Sequence, residues 1–110
     1  MAQKPNKAEF MLSLAARAGK AASGETAAEH AVRTGKAWVV IVAEDASDNT
    51  KKKFTNKCHY YGTPVYIYST KQRLAHVIGR ELRSVVAVTD EKMASAVIEK
   101  LEEMDVHGEE

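Results

Sequence analysis

The chain reads as an α/β protein, a single domain folded as a three-layer α/β/α sandwich. Three β-prone runs predict it: "AWVVIVA" (37–43), "PVYIYS" (64–69) and "SVVAVTD" (84–90). Segments with helical apolar spacing alternate with them, which implies parallel crossovers and helices on both faces of a sheet. The length of 110 residues suits one core, and contents of 45% hydrophobic and 28% charged residues are ordinary for a globular domain.

Each element has a local cause. Asn6 and Glu9 stand three apart as a capping box, and Phe10, Leu14 and Ala18, with Met11, give the inner face of a helix over 7–18. Gly19 stops it, and 20–23 is a short extended piece leading to Gly24. Residues 25–34 are helical again, with Ala28, Ala31 and Val32 inward and Gly35 closing the end. "AWVVIVA" is continuously apolar and β-branched, as in a strand covered on both faces. Asp45 and Ser47 offer caps for a third helix to Tyr61, with Phe54, Cys58 and Tyr61 facing in and Lys51, Lys52, Lys53 and Lys57 outside. Thr70 caps a short helix carrying Leu74, Val77 and Ile78, and Asp90 caps the last, with Met93, Val97, Ile98 and Leu101 inward. The expected domain spans 1–110, with an ordered core at about 6–104 and frayed ends at 1–5 and 105–110.

Several functional classes are disfavoured. The longest apolar run is too short to cross a bilayer, no signal peptide is visible, and the lone Cys58 fits a reducing cytosol, so a cytoplasmic protein without membrane contact is expected. "AGKAAS" lacks the upstream glycine of a Walker loop and the hydroxyl after Lys20, and no GxGxxG occurs. His30, His59, His76 and His107 are scattered without metal-ligand spacing. Glu44, Asp45 and Asp90 follow strands and could form an acidic magnesium site, but helix capping explains the aspartates more simply. No catalytic residue, cofactor or metal is expected.

Charge is unevenly placed. Residues 1–89 carry 14 Lys/Arg against 7 Asp/Glu, whereas 90–110 carry 2 against 8. A basic body of this kind suits a polyanion. The segment "AARAGKAASGETAAEHAVRTGKA" (15–37) concentrates the signal. Gly24 permits close approach, the helix start after it offers unpaired N–H groups, and Thr26, Ala27, His30 and Arg33 form a face of mostly short side chains. Lys20, Arg33 and Lys36 could neutralise phosphates. The same face would also serve as an ordinary solvated surface.

"VAEDASDNTKKK", "KCHYYGTPV", "LAHVIG" and "SVVAVTD" recur in an order and spacing that resemble the kink-turn RNA-binding ribosomal-protein superfamily of the L7Ae type, in its bacterial YlxQ-like branch. The resemblance spans about 8–101 and is specific only in combination. It implies a four-stranded mixed sheet with 20–23 as the fourth strand. It also implies that helix 25–34 enters the groove of a sharply bent RNA while the loop "GRELRS" (79–84) covers an extruded base. Glu25, Thr26 and His30 would then touch base edges. Lys20, Arg33, Lys36, Arg80 and Arg83 would hold phosphates, with Gly24, Ala27 and Ser84 completing the surface. Tight kink-turn binders of the family tend to carry Asn-Glu and then Lys where this chain has Thr26, Ala27 and His30. The implied function is a small non-catalytic, ribosome-associated RNA-binding protein, monomeric, with structured RNA and the ribosome as partners. A protein-interaction module on the same fold is the alternative.

Overall fold

The computed structural model describes residues 5–109; the expected frayed residues 1–4 and 110 lie outside them. The elements are α1 (Lys7–Arg17), β1 (Ala21–Ser23), α2 (Glu25–Arg33), β2 (Val39–Val42), α3 (Asp48–Tyr61), β3 (Val65–Ile67), α4 (Lys71–Ile78), β4 (Val85–Val88) and α5 (Glu91–Glu103). The sheet order is β1-β4-β2-β3. One helical layer is α1, α4 and α5; the other is α2 and α3.

The sheet is four-stranded and mixed, as the resemblance implies, whereas the parallel crossovers suggested by strand–helix alternation hold for β2 and β3 alone. β2 and β3 are parallel, with Val40 opposite Val65, but β4 runs antiparallel to both β1 and β2. The cause lies in α4. It has eight residues and packs against α1 instead of running back across the sheet. The chain therefore re-enters beside the C-terminal end of β2, where Val85 faces Val42 and the Ala43 amide donates to the Ser84 carbonyl at 2.8 Å. β1 is the fourth strand.

All side chains of β2 and β4 are buried, as a centre covered on both faces requires. Phe54 and Cys58 of α3 lie at 0% exposure against this sheet, together with Leu12, Leu74 and Leu101 from the other layer. Full burial of each large side chain stabilises by about 1.5–3 kcal/mol. Among the described residues, no helix is long and apolar enough to cross a membrane.

The inner face of α1 differs from the expected one. Ala8, Leu12 and Ala15 are buried, whereas Phe10 is 52% exposed and Ala18 is exposed. Small residues let α1 approach α5 and α4 closely, and this decides its rotation over the size of Phe10. Tyr61 is likewise outside, at the exposed end of α3. Ser47 caps α3 alone: its Oγ accepts the Thr50 amide at 3.1 Å, while Asp45 accepts the Lys71 amide at the start of α4. Asp90 does cap α5, accepting from Met93 N at 2.9 Å. Past α5 the backbone is irregular but follows β3, the Glu109 amide donating to the Val65 carbonyl at 2.8 Å.

Candidate nucleic-acid interface

The two halves of the interface predicted from the sequence meet across an open groove of about 1030 Å³. α2 forms one wall, through Glu25, Thr26, Ala27, His30 and Arg33; Leu82, Arg83 and Ser84 of the loop before β4 form the other. Lys36 closes one end, and Ala22, Ser23 and Thr89 supply the floor. Lys20 and Arg80 are exposed but stand outside the lining.

Gly24 sets the geometry of the α2 start. Its φ of +94° and ψ of 157° lie where only glycine is at ease, and its amide donates to the Val85 carbonyl at 2.8 Å. This bond ties the head of α2 to β4, next to the loop. Asn6, Ser47, Thr70 and Asp90 cap the other helices with side-chain oxygens, but the N-cap of α2 has no side chain to do so. The first-turn N–H groups of α2, with the positive end of the helix dipole, consequently open into the groove. Glu25, Thr26 and Ala27 around them are all exposed.

Arg83 organises the opposite wall. Its Nε donates to Ser23 Oγ at 3.3 Å and its Nη1 donates to the carbonyls of Glu81 and Leu82 at 3.1 and 3.0 Å. The guanidinium thereby clamps its own loop against β1, and a side-chain methyl at Gly24 would sit 3.8 Å from Arg83 Cδ. Leu82 is held 60% exposed at the groove lip. Sequence reasoning passed over Leu82, although an apolar side chain set among Arg80, Glu81 and Arg83 is an available signal.

The carboxylates of α2 are engaged by side chains of α3. Glu25 Oε2 accepts from Thr50 Oγ1 at 3.2 Å, with Lys53 Nζ 3.8 Å from Oε1. Glu29 takes Lys57 at 2.7 Å and Lys53 at 2.9 Å. The hydrogen bonds from Lys57 and then Lys53 hold its carboxyl down at about 2. Two of the four lysines of α3, Lys53 and Lys57, are therefore committed to intramolecular pairs. Arg33, Lys36 and Arg83 are the groove's fixed cations, and Glu25, already partnered, is its one carboxylate. Among the described residues no group of His, Cys, Asp and Glu is placed to hold a metal ion.

These features have counterparts in known proteins. The chain is 44% identical over 92 residues to "RNA-binding protein YlxQ" of Bacillus subtilis (strain 168), covering 84% of this chain and 92% of the relative. It is 38% identical over 96 residues to the protein of that name from Enterococcus faecium, covering 87% and 92%. Among solved structures, a protein of unknown function from Bacillus halodurans C superposes with a TM-score of 0.86 at 34% identity, over 89% of this chain and 99% of that one. The Giardia lamblia 15.5kD RNA binding protein superposes with a TM-score of 0.76 over 90% and 85%, and at 20% identity it speaks to the fold alone. Residues 6–98 match the description "Ribosomal protein L7Ae/L30e/S12e/Gadd45 family". The chain belongs to that family, a non-enzymatic one.

Proposed function

We propose that this is a small RNA-binding protein that grips a sharply bent, kink-turn-like structured RNA between the head of α2 and the loop at 79–84. The observation that carries the reading is the uncapped first turn of α2 opening into a groove walled by small residues and cations. Short side chains at Thr26 and Ala27 let backbone N–H groups approach RNA closely, and Arg33, Lys36 and Arg83 answer its phosphates. Leu82 offers an apolar cover for a base turned out of the stack. The relatives from Bacillus subtilis and Enterococcus faecium, both named as RNA-binding proteins, support the same reading. Association with the ribosome, a monomeric state and a cytoplasmic setting belong to this proposal.

Base readout is weakened by the residues present. Thr26, Ala27 and His30 lack the amide, carboxylate and fixed cation expected of tight binders, and Glu25 is engaged by Thr50. Each base contact is worth about 1–3 kcal/mol, so affinity rests chiefly on shape and phosphate. Gel shifts comparing a kink-turn RNA with a straight duplex of the same length, at several salt concentrations, test this. The bent RNA should bind more tightly, and each contacting cation should add about 0.7–0.9 to the log–log salt slope. Equal binding of bent and straight RNA at every salt would refute it.

A further inference from the structure

We infer that the RNA surface continues beyond the groove onto an aromatic cleft that stacks unpaired nucleotides leaving the bent duplex; this inference rests on the RNA-binding reading above. The cleft, of about 410 Å³, lies where the C-terminal ends of α2 and α3 meet, and Trp38, Tyr61, Pro64 and Arg33 line it. Arg33 also lines the groove, so the two surfaces share one residue.

The exposure of these rings needs a cause. Trp38 precedes the fully buried β2, yet it is 44% exposed; Tyr61 is 45% and Tyr60 82% exposed. Trp38 is nonetheless held by its backbone, the amide donating to the Val88 carbonyl at 2.8 Å, just after Gly35 has turned the chain at φ +74°. Tyr60 packs edge-on against Tyr61, with centroids 4.9 Å apart and ring planes at 83°. The Trp38 backbone and the Tyr61 ring are thus held in place, which lowers the ordering that stacking a ligand requires.

Charge selects the occupant. From Asn49 to Gly62 there is no acidic residue, and the solvent side of α3 presents Lys52, Asn56 and His59. Two helix C-termini meet at the cleft, however, and their carbonyl ends carry partial negative charge. A phosphate is unwelcome there, while the amino hydrogens of a base are not. Phosphates fall instead to Arg33 and Lys36 at the junction with the groove. Exposed planar rings beside Arg33 match an unpaired nucleotide, because a duplex keeps its base faces inside its own stack.

Trp38 is the only tryptophan in the chain, so its emission reports on this cleft. The full-length protein would be titrated with two RNAs sharing one kink-turn: one blunt, one with a single-stranded extension of about six nucleotides on either strand. The extended RNA should bind about tenfold more tightly and quench Trp38. Tyr61→Ala should abolish that gain while leaving the blunt affinity unchanged, and Trp38→Phe, which keeps a ring, should retain most of it. Thermal melts verify that both variants fold. If the blunt RNA binds but the extension adds neither affinity nor quenching, the inference is overturned. Equal losses on both RNAs in Tyr61→Ala overturn it too. Failure of both RNAs to bind refutes the RNA-binding reading itself, and this inference with it.

Discussion

Glu9 and Arg73 face each other across α1 and α4, Arg73 Nε donating to Glu9 Oε2 at 2.8 Å and Nη2 donating to Oε1 at 3.0 Å. Glu9 is 5% exposed, and its Oε1 also accepts the Asn6 amide as half of the capping box. Burial opposes the charge, but the bonds from Arg73 and Asn6 outweigh it and hold the carboxyl below its ordinary value of 4.5. A depressed carboxyl stabilises the fold above its unfolded value and loses that contribution as pH falls through the folded one. Glu9→Gln should therefore destabilise by about 2 kcal/mol at pH 7. Urea melts at descending pH should show the gap between wild type and variant closing below pH 4.5.

Gly24→Ala should cost about 1–3 kcal/mol through backbone strain. The space is open, the nearest atom to an added methyl being Arg83 Cδ at 3.8 Å, so sterics are not the reason. Denaturant melts give the number, and an unchanged midpoint would contradict the assigned conformation.

If α2 reads RNA as proposed, installing the residues that tight kink-turn binders tend to carry should tighten binding. The variant Thr26→Asn, Ala27→Glu, His30→Lys occupies exposed positions in the groove, and its fold should tolerate the change. Affinity for kink-turn RNA should rise by 10²-fold or more, at about 1–3 kcal/mol per regained contact. Affinity for straight duplex should move far less. Filter binding on the two RNAs distinguishes these outcomes.

Glu29→Gln should release Lys53 and Lys57 from their pairs at 2.9 and 2.7 Å. Binding to any RNA should then strengthen and become more salt-dependent, by about 0.7–0.9 in the log–log slope for each lysine that reaches a phosphate. The carboxyl sits at about 2, so merely lowering the pH of the wild type to 4 should not reproduce the effect.

Much of this fold is legible in the residues because its helices are strongly punctuated. Asn6, Ser47, Thr70 and Asp90 mark starts, and Gly62 and Gly79 mark ends in the left-handed conformation. Local rules reach no further than one element. The rotation of α1 depends on what packs against it, and the fit of Ala8, Leu12 and Ala15 to neighbouring helices is invisible to a count of apolar spacing. The direction of β4 depends on where α4 docks, which is a tertiary matter. At the candidate site, α2 and the loop could be named from local chemistry and the family resemblance. The engagement of Glu25 and Glu29 by α3, and the anchoring of Arg83 on Ser23, needed three dimensions.

Cys58 sits fully enclosed against the sheet, where burial raises its thiol to about 11. At neutral pH almost none of it is the reactive thiolate, so purified protein should stay free of adventitious intermolecular crosslinks. Alkylating reagents must wait for α3 to lift away. The rate at which a maleimide dye attaches thus becomes a clock for that opening, and bound RNA that steadies α2 against α3 should slow it.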